Sequence, residues 1–441
     1  MRNDDRSWQR RLERANWVLL AGAATGTGAA AAHYLGGHPP AGHTQRENWS
    51  LLLVSSMVLA LSATAAVTRP FLRTPGRCWL MSVGAMTIFA VGTVVVWHIT
   101  ATDVNTTTVV GTPVGTVHQS DAHIAKRLPG VPLQKIPTGL YIQSVKFTGP
   151  EEVDVSGYVW QRYTDDVPES SRGVVFPEAP DGFDMKQVYE TKTTEGRALR
   201  GWHFHLTLRE KFVYREYPLD KQNVWLRMWT ISTFKNEILI PDFSSYPPWQ
   251  HKALNGLDQD IVSLGWRPYY TAYSYGDHTY SATFGATPYV SGFSAAPDLY
   301  FNIGLTRSYA GPLMGRLVQS LFIAAVLFMA LFVFTRDDAR HPRFGFNTWT
   351  AITFAVTVLL VVIVDQAQLR EISGDGSVTY LEYFAIAQNL VIVGMFANSI
   401  LLGTEARAAV LGWRDNLLPA LLYWPVLIGL FFAFSLMVLA G

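Results

Sequence analysis

Long apolar runs bracket one long polar stretch along this chain. Seven runs approach or exceed the roughly 18–20 residues that a helix needs to cross a bilayer. They lie near 17–35, 50–68, 79–98, 313–335, 344–364, 381–403 and 417–440. Between the third and the fourth the polarity is ordinary and the period shortens to two. GLYIQSVKF (139–147), VDVSGYVWQRY (153–163), GWHFHLTLREKF (201–212), NVWLRMWTIS (223–232) and DLYFNIGLT (298–306) alternate, with β-branched or aromatic residues, and each is predicted to be a strand. Turn residues separate them at Thr148-Gly149-Pro150, Asp165-Asp166, Pro218 and Pro247-Pro248. With no helix-length amphipathic run in this region, the pattern predicts an antiparallel β-sandwich. The expected organisation is transmembrane helices over 1–100, a linker over the Thr-, Gly- and Pro-rich 101–135, a sandwich over 136–310, and a four-helix module over 311–441.

Composition sharpens this picture. Of 441 residues, 49% are apolar and 16% charged, values high and low for a soluble protein. The net charge of +1 gives no reason to expect nucleic acid as a partner. The single cysteine, Cys78, excludes an intrachain disulfide. Basic residues set the orientation. With the N-terminus inside, the inner segments hold Arg2, Arg6, Arg10, Arg11, Arg14, Arg69, Arg73, Arg77, Arg336, Arg340, Arg343, Arg407 and Arg414, whereas the outer short loops hold only Arg46 and Arg370. That bias predicts a multi-pass protein of the cell inner membrane with its β region in the periplasm or outside the cell. The first run is rich in Ala and Gly and also reads as a cleavable signal peptide. Its removal would leave the β region on the same side. No P-loop, metal-ligand helix or Gly-x-Ser-x-Gly elbow is present, so no enzyme is expected.

YPLDKQN (217–223), GYVWQRYTDD (157–166), LTRSYAGP (305–312) and VTYLEYFAIAQNLVIV (378–393) occur in this order. With an outer sandwich followed by four membrane helices, they resemble the pentameric ligand-gated ion channel (Cys-loop receptor) superfamily over residues 130–440. YPLDKQN is similar to that family's signature loop. The family's flanking cysteines would fall at Glu210 and Val224, so the resemblance is to the bacterial type that lacks the disulfide. Three membrane helices before the sandwich are an addition. The usual Leu-Pro after the pore helix is replaced by QLREISGDGSV (368–378), and the first module helix lacks its usual proline.

The resemblance implies a homopentamer in the lipid bilayer, passing small ions passively and gated by an unknown small agonist, protons or a divalent ion. It places the Tyr217–Asp220 tip at the membrane surface, where it passes motion to the helices. Pro218 stiffens the turn, and Asp220 is expected to pair with Arg307. Glu151 and Glu152, in the first hairpin turn, are expected at the same end. The second module helix should line the pore. On a helical period, Thr350, Thr353 and Thr357 share one face, extended by Phe346, Leu360, Val361 and Val364. Hydroxyls replace hydration there, and apolar rings close the path by dewetting. The bland alternative is a helix–helix contact. Trp349 falls off this face and is expected to pack behind it. Arg343 stands at the inner mouth. Five copies facing the lumen would repel cations, which points towards anions.

A ligand site would lie between neighbouring sandwiches, with an aromatic box from Tyr158, Trp229, and Tyr280, Phe284, Tyr289 and Phe293 of loop 277–297. Aromatic faces favour a cation, although a sandwich also needs aromatics to fill its core. His203 and His205 alternate on one strand face and are expected to be solvated or simply hydrogen-bonded. No metal site and no cofactor are expected, apart from Ca²⁺ modulation through Glu151-Glu152 and Asp165-Asp166. The rival reading is a membrane-anchored periplasmic binding or sensor protein without a pore. A transporter would need charges or broken helices at mid-membrane, and apart from Arg316 near a helix end none is expected here, which argues against that class.

Overall fold

The computed structural model describes residues 3–35, 45–68, 74–103, 109–179, 184–193, 196–231, 237–246, 254–278, 296–333, 348–370, 376–403 and 417–440. They form two units. A helical unit comprises Met1–Asp103, Tyr214–Leu219 and Tyr309–Gly441; a β unit comprises Val104–Val213 and Asp220–Ser308.

The helical unit holds α1 (Asn3–Leu35), α2 (Gln45–Thr68), α3 (Pro75–Thr102), α5 (Ala310–Val333), α6 (Thr348–Arg370), α7 (Tyr380–Gly403) and α8 (Leu417–Leu439). Among the described residues, six helices, α2, α3 and α5–α8, are long and apolar enough to cross a membrane. The first of the seven expected spans, near 17–35, is corrected: the segment is helical, but its Ala, Gly and Thr content keeps it below the apolarity of the others. It lies along α2, and the buried Asn16 side chain donates to the Ser62 carbonyl at 3.0 Å. α3 packs between α2 and α8. A Cβ built on Gly92 would come within 2.7 Å of the Met57 sulfur and 3.0 Å of the Phe432 ring. Ser82 adds a hydrogen bond of 2.5 Å to the Leu421 carbonyl.

α7 is the most enclosed of the spanning helices. Thr379 and Glu382 form a capping box at its start: the fully buried Glu382 carboxylate accepts from the Thr379 N–H at 3.0 Å, which satisfies an end-of-helix donor. The Tyr380 hydroxyl accepts from Trp97 Nε1 of α3 and is bonded to Ser435 Oγ of α8, both at 2.6 Å. Gln388 donates to the Ser320 carbonyl of α5 at 2.7 Å.

The β unit has two sheets. One runs β1 (Thr112–Val114), β10 (Trp266–Gly276), β11 (Asp298–Arg307), β7 (Lys221–Thr230), β4 (Val174–Val175). The other runs β5 (Asp184–Lys192), β6 (Ala198–Arg209), β3 (Glu152–Tyr163), β2 (Gln134–Phe147), β8 (Glu237–Pro241), and β9 (Leu257–Val262) also pairs β2. Among the described residues only the β2 pairings with β8 and β9 are parallel. Alternation explains the layers. On β3, Val153, Val155, Val159 and Tyr163 are buried while Asp154, Ser156, Tyr158 and Trp160 are not. The two inner faces meet in one core: the Tyr273 hydroxyl of β10 accepts from the Leu140 N–H of β2 at 3.1 Å, and Phe147 stacks on Trp266 with ring centroids 4.4 Å apart.

All five predicted strands are present, with ends moved by a few residues. The expected linker over 101–135 is corrected: it contains β1 and an amphipathic helix, α4 (Val117–Arg127), whose start is capped by Thr116 accepting from the Gln119 N–H at 3.2 Å.

Candidate functional site

A buried polar cluster surrounds the neck of the 210–222 hairpin. β6 leads into it and β7 leaves it. The buried faces of these strands end on polar residues, so each needs a partner. Gln222 finds its partners across the neck: its Nε2 donates to the Val213 carbonyl at 2.7 Å, and its Oε1 accepts from the Val213 N–H at 3.2 Å. Glu210 accepts the Trp225 N–H on both carboxylate oxygens at 3.2 Å. Hydrogen bonds thus close the neck. Burial pushes the Glu210 carboxyl well above the usual carboxylate range; the Trp225 N–H opposes this and the nearby Glu178 adds to it.

Asp220 and Arg307 come together as expected. Arg307 Nε lies 2.6 Å from Asp220 Oδ1 and Nη2 lies 3.0 Å from Oδ2, a fork-on-carboxylate pair. The Asp220 side chain is 1% exposed and that of Arg307 18%. Gln222 Nε2 also donates to Asp220 Oδ2 at 2.9 Å. The Arg307 guanidinium sits 4.0 Å above the Trp266 ring, adding a cation–π contact. Removing one member of such a pair leaves a buried charge and costs about 3–5 kcal/mol. Glu151 and Glu152 lie beside the neck: the Glu210 N–H donates to the Glu151 carbonyl at 2.9 Å, and Glu152 pairs with Arg209 at 3.0 Å on the surface.

The hairpin tip, Tyr214–Leu219, belongs to the helical unit. Pro218 is buried behind a cis Tyr217–Pro218 peptide. Leu219 is buried in the helical core with Tyr217 packed against it, and the Tyr380 N–H at the start of α7 donates to the Arg215 carbonyl at 2.9 Å.

α6 presents two unlike faces. Ala355, Val362 and Leu369 are buried, and this seven-residue spacing makes a single seam against α7. At about 100° per residue, Thr350, Thr353, Thr357, Leu360, Val361 and Val364 are centred roughly 180° from that seam. All six are exposed, Leu360 at 61%. The Thr353 hydroxyl donates to the Trp349 carbonyl at 2.9 Å and that of Thr357 to the Thr353 carbonyl at 2.8 Å, so both are satisfied within the helix. Trp349, expected to pack behind this face, is 77% exposed among the described residues. α6 continues to Arg370, beyond the expected end at 364. The added turn carries Asp365, which is ion-paired with Arg316 of α5. Phe346 and Arg343 lie outside the described residues.

The expected aromatic box is not assembled within one chain. Tyr158 is half-buried on the outward face of β3, edge-on to His203 with centroids 5.1 Å apart. Trp229 is half-buried on the outward face of β7, in the other sheet, with the Arg227 guanidinium 5.5 Å from its ring. Neither fills the core. Tyr280, Phe284, Tyr289 and Phe293 lie outside the described residues. His205 is exposed. The acidic pairs Glu151-Glu152 and Asp165-Asp166 sit at opposite ends of β3, a strand of 12 residues, so they are roughly 40 Å apart and cannot share an ion within one chain. Among the described residues no group of three or more His, Cys, Asp or Glu side chains is placed to hold a metal.

Comparison of the chain with protein-family models returns no match, and neither does comparison with curated proteins.

Proposed function

We propose that the chain is one subunit of a bacterial homopentameric ligand-gated ion channel. In this reading α6 lines a passive pore for small ions and the β unit, a sandwich outside the inner membrane, senses the agonist. The observation that carries it is the face of α6. Its hydroxyls and apolar side chains stand opposite the seam by which the helix packs on α7, and five such faces would enclose water-filled, hydroxyl-lined levels below apolar rings. Two further arrangements support the reading. The Asp220–Arg307 pair locks the hairpin neck, and the tip is packed at the start of α7, a placement suited to passing agonist-driven movement to the helices. Tyr158 and Trp229 point out of opposite sheets, so neighbouring subunits would have to complete an agonist site.

The test is recording from purified protein in planar bilayers while pH, Ca²⁺ and small amines are varied, beside subunit counting by native mass measurement. Five copies and agonist-dependent currents that change in Thr353 and Thr357 variants are expected. A single copy without current would overturn the proposal and leave a membrane-anchored binding protein.

A further inference from the structure

The outer end of α3 is bonded into the start of α7. Trp97 stands near the end of α3, and its indole Nε1 donates to the Tyr380 hydroxyl at 2.6 Å. Tyr380 is fully buried. The bonds beyond it fix a direction. Ser435 Oγ donates to the Phe431 carbonyl at 2.7 Å, so the proton in the 2.6 Å contact between Tyr380 and Ser435 comes from Tyr380. An indole nitrogen can only donate. The bonds therefore run from Trp97 to Tyr380 to Ser435 to Phe431, each hydroxyl accepting one and donating the next. Hydrogen bonds in such a chain strengthen one another.

Indoles gather at the membrane boundary in many proteins, where water or a headgroup accepts from them. Here the acceptor is a buried hydroxyl on another helix. The ring contacts agree: Trp97 lies 6.4 Å from Phe384, which meets Tyr380 edge-on at 5.2 Å. Val96, beside Trp97, is fully buried in the same core.

The turn of α7 that Trp97 reaches is a junction. The Tyr380 N–H donates to the Arg215 carbonyl of the hairpin tip at 2.9 Å. Glu382 Oε2 accepts from Arg370 Nε, at the end of α6, at 3.2 Å. One turn thus touches the tip, the end of α6 and, through Tyr380, the end of α3.

We propose that Trp97 is a positioning residue for the start of α7: through it, α3 holds that turn against the hairpin tip. Resting on the channel reading above, this makes α3 a regulatory arm of gating. A helix outside the four-helix module then sets how much agonist-driven movement passes from the tip to the pore helix.

The test uses the full chain and reads hydrogen exchange in lipid nanodiscs beside current. Trp97→Phe keeps a ring and removes the donor. Exchange over 214–219 and 379–384 should quicken about fivefold, the worth of one net hydrogen bond, with exchange in β3 unchanged. Tyr380→Phe removes the same bond from the other side and should quicken the same segments at least as much; it reads the contact alone should Trp97→Phe not assemble. Adding Trp97→Phe to Tyr380→Phe should change nothing further, whereas a packing loss at Trp97 would add. In planar bilayers, with protons, Ca²⁺ or propylamine as the stimulus, Trp97→Phe should raise the half-maximal concentration about fivefold and leave unit conductance unaltered. Unchanged exchange, additive effects in the double variant, or a half-maximal concentration that stays or falls would each overturn the inference. Quickened exchange in a protein that passes no current would leave the positioning role of Trp97 standing and overturn the channel reading instead.

Discussion

The hairpin neck and the outward face of α6 are both functional candidates, yet they find their partners in opposite ways. Around the neck each polar group is answered within the chain: Gln222 by Val213, Glu210 by Trp225, Asp220 by Arg307. On α6 the seam at Ala355, Val362 and Leu369 is answered and the face at Thr353, Thr357, Leu360 and Val364 is not. The neck is thus a structure that one chain completes. Among the described residues nothing covers the bare face of α6, and its hydroxyls, bonded to their own helix, are satisfied whether water, lipid or another protein surface lies against it. Substitutions at the neck should be read in the stability of the single chain. Those on the bare face should be read in assembly and current.

The largest effect is expected at Asp220. Asp220→Ala should cost about 3–5 kcal/mol in denaturant unfolding of the β unit by leaving Arg307 unpaired. The double variant Asp220→Leu with Arg307→Met should recover most of that loss; a double variant as unstable as the single one would break the account of the neck as a closed pair.

Next come two valines on one helix. Val362→Ala removes buried methyl groups from the seam and should cost about 1–2 kcal/mol in thermal unfolding in detergent. Val364→Ala, on the bare face, should cost about 0.5 kcal/mol or less. Equal losses would erase the distinction between the faces.

Glu210 supplies a pH signature. Its carboxyl titrates higher in the folded chain than in the unfolded one, so the folded chain holds the extra proton. Stability from this site is greatest below the unfolded value of about 4.3 and is lost as pH rises towards the folded value. Glu210→Gln should flatten that part of a melting-temperature profile and raise the melting temperature at neutral pH; an unchanged slope would remove Glu210 as its source. The smallest stability effect is expected from Thr357→Val, within about 0.5 kcal/mol, together with altered conductance in planar bilayers. A conductance identical to that of the unaltered protein would count against the proposed pore face.

The sequence carried the alternation of β3, β6 and β7 plainly, and with it the inner and outer faces. It also carried a signal that was overlooked. Gln161, Glu210 and Gln222 occupy positions where the alternation calls for apolar residues, and all three are buried. A polar residue on the inner register of a strand announces a buried hydrogen bond, and two of these three close the neck. β5 was missed because it is exposed along nearly its whole length and so has no apolar side to read. β1 and α4 were missed because Thr, Gly and Pro at 111–116 looked like linker composition. Asp365 was lost by ending α6 a turn and a half early, and the Arg316 pair went with it. The angular grouping of Thr353, Thr357, Leu360 and Val364 needed only the helical period, whereas the seam opposite depends on how α7 packs, which no local pattern encodes.

Gly92 has one more consequence. Because it lets α3 press against Phe432 and Met57 at bare van der Waals distance, one flank of α8 meets a tethered protein neighbour instead of fatty-acyl tails. Changes in acyl length or unsaturation can reach that flank only by way of α3. Along that flank α3 thus serves the last helix as a covalently attached piece of solvent, the same whatever bilayer surrounds the rest.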